Sequence, residues 1–184
     1  MDLAMDRTYY TYRDYEHFPG NLRCEIIDGA IFDMTPASST KHQMTALRIG
    51  HLLMAHLESS GHGCRPFIAP TDVVMADDQV VQPDVFVVCD GGKIRERGVF
   101  GAPDVVFEVL SPATEVKDRR EKMALYARFG VTEYFLVQPD QEFIEKYRFN
   151  DGANMRVGLY RGDDVFSVDT IGLEIVAKEL FTRL

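Results

Sequence analysis

Two short runs, Cys24-Glu25-Ile26-Ile27 and Ala30-Ile31-Phe32, flank Asp28-Gly29, and this pattern predicts a hairpin over Arg23 to Met34. A loop, Thr35 to Ser39, follows. Ser39 or Thr40 caps a helix whose wide apolar face includes Met44, Leu47, Ile49, Leu52, Leu53 and Leu57; with Gly61 as its stop, this helix is expected to be largely buried. Three strands are predicted next, over Pro66 to Met75, Val80 to Cys89 and Asp104 to Leu110. The last two are dense in Val and Phe, as in strands covered on both faces. Ser111-Pro112-Ala113-Thr114 opens a second helix through Met123, Tyr126 and Phe129, Gly130 ends it, and Thr132 to Gln138 returns as a short strand. The core order is therefore helix, three strands, helix, strand. Beyond Asp140, the segments Phe143 to Phe149, Met155 to Arg161 and Val165 to Val168 read as an antiparallel meander, with turns at Pro139-Asp140 and Asp151-Gly152, that serves as a covering sheet.

No repeat or low-complexity tract interrupts this order, and 184 residues at 46% apolar composition predict a single domain spanning 1–184. The longest apolar runs, Val85 to Cys89 and Met123 to Ala127, are five residues, too short to cross a bilayer. The acidic start, Met1 to Asp6, lacks the basic and apolar regions of a secretion signal, so a cytoplasmic location is expected. Twenty basic against twenty-nine acidic side chains leave a net charge of −9, which disfavours nonspecific coating of DNA. A nucleic-acid function would need a local basic patch or a bound metal. Cys24, Cys64 and Cys89 are odd in number and widely spaced, so neither a disulfide nor a zinc cluster is expected.

Candidate chemistry begins at Asp104-Val105-Val106-Phe107-Glu108-Val109-Leu110, where one carboxylate interrupts an apolar strand. Burying it is costly unless a cation or donors compensate. Pairing with a lysine or a wet strand edge would explain a lone glutamate. However, Gln82-Pro83-Asp84 puts a second acid at the start of the preceding apolar strand, and neighbouring strands lie about 4.8 Å apart. One ion could touch both acids, the competing reading being that Asp84 caps a turn after Pro83. Oxygen ligands with no His or Cys cluster beside them suit magnesium or manganese. Lys122, four residues after Asp118, either forms an ordinary helix-surface pair with it or reaches back over the strand end to offset the carboxylates and position a water. Lys93, Arg95 and Arg97, with Arg119 and Arg120, are candidate phosphate contacts. His51, His56 and His62 have no partner cluster and read as structural. Ser111, lacking a Gly-x-Ser-x-Gly elbow, reads as a helix cap.

Several short motifs occur in a recognisable order: Glu25-Ile26-Ile27-Asp28-Gly29, Met34-x-Pro36, His42, Pro83-Asp84-Val85, Gly101-Ala102-Pro103-Asp104, Glu108-Val109-Leu110-Ser111-Pro112, Asp118 with Lys122 and Tyr126, and Gly130-Val131-x-Glu133-Tyr134. Over nearly the whole chain they resemble the Uma-two family, described as putative restriction endonucleases and placed in the PD-(D/E)XK phosphodiesterase superfamily. The resemblance implies an α/β fold with a restriction-endonuclease-like mixed sheet, an N-terminal hairpin and a C-terminal antiparallel extension. It also implies that Asp84 and Glu108 are metal-binding acids and that the Val109 carbonyl is an extra ligand. The superfamily lysine usually follows the acid by two residues; that position is Leu110 here, and the resemblance moves the role to Lys122. Glu25 and His42 match family positions. A hairpin glutamate is usually solvated and a histidine in a first helical turn usually structural or exposed, while an outer-sphere ligand role for Glu25 follows only from the resemblance.

These readings combine into a magnesium- or manganese-dependent endonuclease acting on DNA, with Asp84, Glu108, Lys122 and Glu25 as catalytic residues. No membrane partner is expected, and a homodimer is allowed. The alternative is an inactive PD-(D/E)XK-like scaffold serving as a dimerising or nucleic-acid-binding module, favoured by the displaced lysine and the negative charge. Glycoside hydrolysis by paired carboxylates is weaker, since no long aromatic-rich cleft is legible.

Overall fold

The computed structural model describes residues 8–20, 22–34, 39–150 and 153–182. In chain order the elements are α1 (Tyr12–Tyr15), β1 (Cys24–Ile27), β2 (Ala30–Asp33), α2 (Thr40–Ser60), β3 (Arg65–Ile68), β4 (Val73–Ala76), β5 (Gln79–Val81) and β6 (Val85–Val88). There follow β7 (Ile94–Arg95), β8 (Gly98–Phe100), β9 (Val105–Val109), α3 (Glu115–Lys117), a π-helical segment (Asp118–Lys122), α4 (Met123–Arg128) and β10 (Glu133–Gln138). The chain closes with β11 (Phe143–Asn150), β12 (Ala153–Arg161), β13 (Val165–Val168), β14 (Leu173–Val176) and a 3₁₀ turn (Ala177–Leu180).

Two six-stranded sheets result, ordered β2-β1-β5-β4-β8-β7 and β12-β11-β10-β9-β6-β3, with β13 and β14 as a separate pair. In the second sheet β9 and β10 run parallel while the other pairs are antiparallel. In chain order α2, β3, β6, β9, the helix from Glu115 to Arg128 and β10 reproduce the predicted helix, three strands, helix, strand, the four strands all lying in the second sheet. Alternation along β9 sorts the core: Val105, Phe107 and Val109 pack with Ile49, Leu53 and Leu57 of α2, whereas Val106 and Leu110 pack with Met123, Leu125 and Tyr126. Glu108 shares the second face.

The structure corrects several expectations. The run Pro66 to Met75 is two strands in different sheets, broken around Pro70, and Val80 to Cys89 is likewise divided between sheets at Gln82-Pro83. Each proline lacks an N–H for a ladder, which ends pairing there. β11 and β12 do not cover the core sheet but extend it, because β11 pairs with β10 in register from Glu133↔Arg148 to Gln138↔Phe143. α2 keeps its predicted cap, Ser39 Oγ accepting from the His42 N–H at 3.2 Å, and its left-handed stop at Gly61. Only one side is buried, however: Met44 and Leu47 stay 43% and 56% exposed. The second helix begins at Glu115 rather than at Ser111, whose hydroxyl pairs with that of Thr114. Cys64 and Cys89, at the ends of β3 and β6, form a disulfide, against expectation; the antiparallel pairing of these strands sets the two thiols opposite one another. The predicted turn at Asp151-Gly152, the motif residue Pro36 and the loop residues 35–38 lie outside the described residues.

A buried ion pair ties the C-terminal hairpin to the sheet. Lys146 Nζ lies 2.8 Å from Glu133 Oε1 and 2.5 Å from Asp169. The Glu133 carboxylate also accepts from the N–H groups of Asp169 and Thr170 and from the Thr170 hydroxyl. Glu133→Ala would leave buried Lys146 with only the part-exposed Asp169 as counter-charge and would strip Asp169 and Thr170 of their acceptor, so urea unfolding should report a loss of about 3 kcal/mol.

Candidate functional site

The chain passes from one large sheet to the other through Gln82, Pro83 and Asp84, and this crossing builds the site. Val85 pairs with Phe107, so the next position outward sets Asp84 beside Glu108. Their contacts are reciprocal: the Asp84 N–H donates to Glu108 Oε2 at 3.3 Å, and the Val109 N–H donates to Asp84 Oδ2 at 2.8 Å. Glu108 is buried, while Asp84 keeps about a fifth of its side chain open to solvent.

Lys122 reaches back from the helix into this pair. Its Nζ lies 2.9 Å from Glu108 Oε1, 2.9 Å from Glu25 Oε1 and 3.7 Å from Asp118 Oδ1. The π-helical segment carrying Asp118 and Lys122 buries both, which excludes the surface-pair reading; such segments recur at functional sites. Tyr134 supports the segment by donating its hydroxyl to the Asp118 carbonyl at 3.0 Å. Tyr126 donates to Glu108 Oε1 at 2.8 Å. Glu25 is fully buried rather than solvated, because the hairpin that carries it is sheet-paired through β5. Its two oxygens meet Lys122 and, at 2.5 Å, Lys117, and the Gln82 N–H adds a bond at 3.0 Å.

His42 is the residue that sequence reasoning underrated. It is buried in the first turn of α2 with Nε2 3.2 Å from Asp84 Oδ2, and its Nδ1 has no hydrogen-bond partner among the described residues. The Asp84 and Glu108 pair therefore does have a histidine beside it. The cap that starts α2 at Ser39 was the available signal, since it puts the first turn at one end of the helix, but nothing in the sequence says which strand end that turn meets.

Glu25, Glu108 and Asp118 thus converge on Lys122, with Asp84 beside Glu108 and with Lys117 and His42 at the margin, and acids outnumber lysines. Burial pushes the Glu108 carboxyl up, and although Lys122 pulls it down, the neighbouring acids leave it at about 8. Burial also raises Asp118, to about 6, against the pull of Lys122. For Glu25 burial is outweighed by the two lysines, and the group falls below the usual glutamate range. Burial opposes the charge on Lys122, but the four acids hold its pKa well above the ordinary lysine value. His42 is raised, burial being overcome by its bond to Asp84.

Among the described residues no three His, Cys, Asp or Glu side chains form a ready-made metal cage. Magnesium commonly needs only one or two carboxylates plus water and substrate phosphate. The donors fit that demand: more buried carboxyls than buried lysines, a buried Asp118 Oδ1 with no hydrogen bond among the described residues, and an Asp84 carboxylate accessible from outside. The proposed phosphate contacts are less available. Arg119 binds Glu115 and Glu145, Arg97 binds Glu16, Lys93 donates to the Ala102 carbonyl and Arg95 stacks over Phe100. Arg120 is exposed beside the site helix. No helix among the described residues is long and apolar enough to cross a membrane.

Known proteins share this arrangement of the chain. A crystal structure of a "putative nuclease belonging to DUF820" from Anabaena variabilis matches with a TM-score of 0.77 at 20% identity, over 94% of this chain and 97% of the other. At that identity the likeness concerns the fold, which is nuclease-like. The uncharacterized protein slr1290 of Synechocystis sp. is 30% identical over 162 residues, 87% of this chain and 84% of the relative. A family model described as "Putative restriction endonuclease" matches residues 9–178. Since that match runs from before β1 to the 3₁₀ turn after β14, the chain belongs to the Uma2 family, the Uma-two family of the sequence motifs.

Proposed function

We propose that this protein is a cytoplasmic, metal-dependent phosphodiesterase of endonuclease type that hydrolyses DNA, with Mg²⁺ or Mn²⁺ held by Asp84, Glu108 and the Val109 carbonyl. The observation that carries this reading is the convergence of three buried acids on one buried lysine, with a fourth acid, Asp84, beside Glu108 and open to solvent. Such a divalent ion, when bound, supplies Lewis-acid polarisation of a phosphoryl oxygen and lowers the pKa of water. The chain's own residues do the rest. Tyr126 and the Asp84 N–H fix the Glu108 carboxylate, and His42 holds Asp84 in its orientation. Lys122 keeps Glu108 and Glu25 company as a fixed cation, positioned to orient a water or offset charge that develops on phosphate. Glu25 acts through Lys122 rather than on the substrate.

A second reading is supported by one observation: both oxygens of Glu108 already have donors, as they would in an inactive scaffold. Cleavage of supercoiled plasmid and of single-stranded DNA, with Mg²⁺, Mn²⁺ or chelator, separates the two. The enzyme reading expects nicking that needs the metal; metal-independent binding of DNA without cleavage would favour the scaffold. Calorimetry with Mn²⁺ tests the ligands independently. Asp84→Ala and Glu108→Ala should each weaken binding strongly, and parent-like titrations from both variants would mean that the ion is held elsewhere.

A further inference from the structure

α2 is apolar on the side that its own chain leaves uncovered. Ile49, Leu53 and Leu57 face the core, whereas Met44, Leu47, His51 and Met54 form an exposed stripe at alternating spacings of three and four residues, the spacing of a helix-pairing seam. Met44, Leu47, Arg48 and His51 stand at i, i+3, i+4 and i+7, and with Leu52 and Glu179 they frame a surface cavity of about 320 Å³. Four residues in that pattern are what a facing helix uses to accept one inserted side chain. Gly50 flanks the stripe in the middle of the helix. A Cβ built there would meet nothing within 4 Å, so the chain's own packing does not require glycine, which costs about 0.5–1 kcal/mol relative to alanine in such a position.

We propose that a second copy of this chain covers this stripe, α2 packing antiparallel on α2 about a two-fold axis near Gly50 and His51. The stripe is self-complementary in that register. Leu47 meets the partner's Met54, and the symmetry repeats the contact, while the absent side chain of Gly50 leaves room for the methionine to seat. The charges also agree: the register brings Glu58 to the first turn of the partner's α2, where the positive end of the helix dipole lies and where Lys41 stands, exposed in part and paired at 3.4 Å with its own chain's Asp140. A parallel arrangement would set Glu58 against Glu58 and Lys41 against Lys41. The buried face of α2 presents His42 to Asp84, so this contact would hold two acid clusters at a fixed separation, about 26 Å apart along the helix axes. The inference does not depend on the phosphodiesterase reading, since an inactive scaffold would pair through the same stripe.

Light scattering during size-exclusion chromatography should give twice the 20.9 kDa chain mass for the parent. Leu47→Lys and Met54→Lys replace exposed side chains and should keep the parent's circular dichroism, while each raises the dimer dissociation constant by at least about tenfold. His51→Cys should give a covalent dimer on mild oxidation, because Cys24 is buried and Cys64 and Cys89 are bonded to each other. Asp77→Cys, at the exposed β4–β5 turn of the other large sheet, should not. A parent that stays monomeric at its highest soluble concentration overturns the proposal, as does a dimer that survives both lysine substitutions or fails to cross-link at position 51.

Discussion

Lys122→Met is expected to reduce DNA cleavage by roughly 10²–10³-fold, the usual loss when a preorganised electrostatic group is removed from a reacting site. The same substitution should lower stability by about 3–5 kcal/mol, because Glu25, Glu108 and Asp118 would remain buried after losing their shared cation. Metal affinity should survive nearly intact, since Asp84, Glu108 and Val109 are unchanged. Lys122→Arg separates charge from shape. It restores a cation, but a planar guanidinium cannot occupy the point at which one ammonium reaches Glu108 and Glu25 at 2.9 Å each, so activity should return poorly. Plasmid nicking and urea unfolding, run on both variants beside the parent, read the two effects separately. Full activity in Lys122→Met would remove the lysine from the mechanism and leave it a structural counter-ion.

Glu108→Gln should stabilise the metal-free protein at alkaline pH while abolishing its response to Mn²⁺. In the fold the Glu108 carboxyl titrates at about 8, far above the range of about 4.3 expected in the unfolded chain. Between those values the folded state holds a proton that the unfolded state has released. The contribution to stability is therefore complete below the lower value and is lost as pH rises through the upper one. Asp118, raised to about 6, adds the same sign over a window that closes earlier. The parent should accordingly weaken from pH 5 to pH 8, and the glutamine variant should be flatter above pH 6. Mn²⁺ at a hundred times its dissociation constant should restore about 2.7 kcal/mol to the parent and nothing to the variant. Chemical unfolding at three pH values with and without the ion checks each part. A parent with pH-independent stability would mean that the acid excess is not felt, and an equal gain from Mn²⁺ in both proteins would displace the ion from Glu108.

Glu108 was legible because it interrupts an apolar strand, where a buried charge demands compensation whatever surrounds it, and Asp84 because it opens the preceding apolar strand beside it. Lys122 was legible only as one of two options. Helical spacing places it near Asp118 but does not say whether that face of the helix meets solvent or a sheet, and the π-helical turn that buries both has no sequence signature. Glu25 shows the opposite case. Its hairpin is plain from Asp28-Gly29, yet a hairpin has two faces, and the one that packs is chosen by β5 pairing beside β1.

What the sequence determined by itself is local: the Asp28-Gly29 turn, the Ser39 and Gly61 ends of α2, the apolar strands around Asp84 and Glu108, and the core order of helix and strands. These follow from turn chemistry, capping and periodicity within a few residues. Tertiary structure decided what lies far apart in the chain. The divisions near Pro70 and Pro83 send consecutive strands to different sheets, which sets Glu25 against Lys122, and the packing of α2 on β9 brings His42 to Asp84. The same packing buried one apolar face of α2 and left Met44, Leu47 and Met54 outside. Periodicity locates apolar positions around a helix, but a helix lying on a single sheet can bury only the side that faces it.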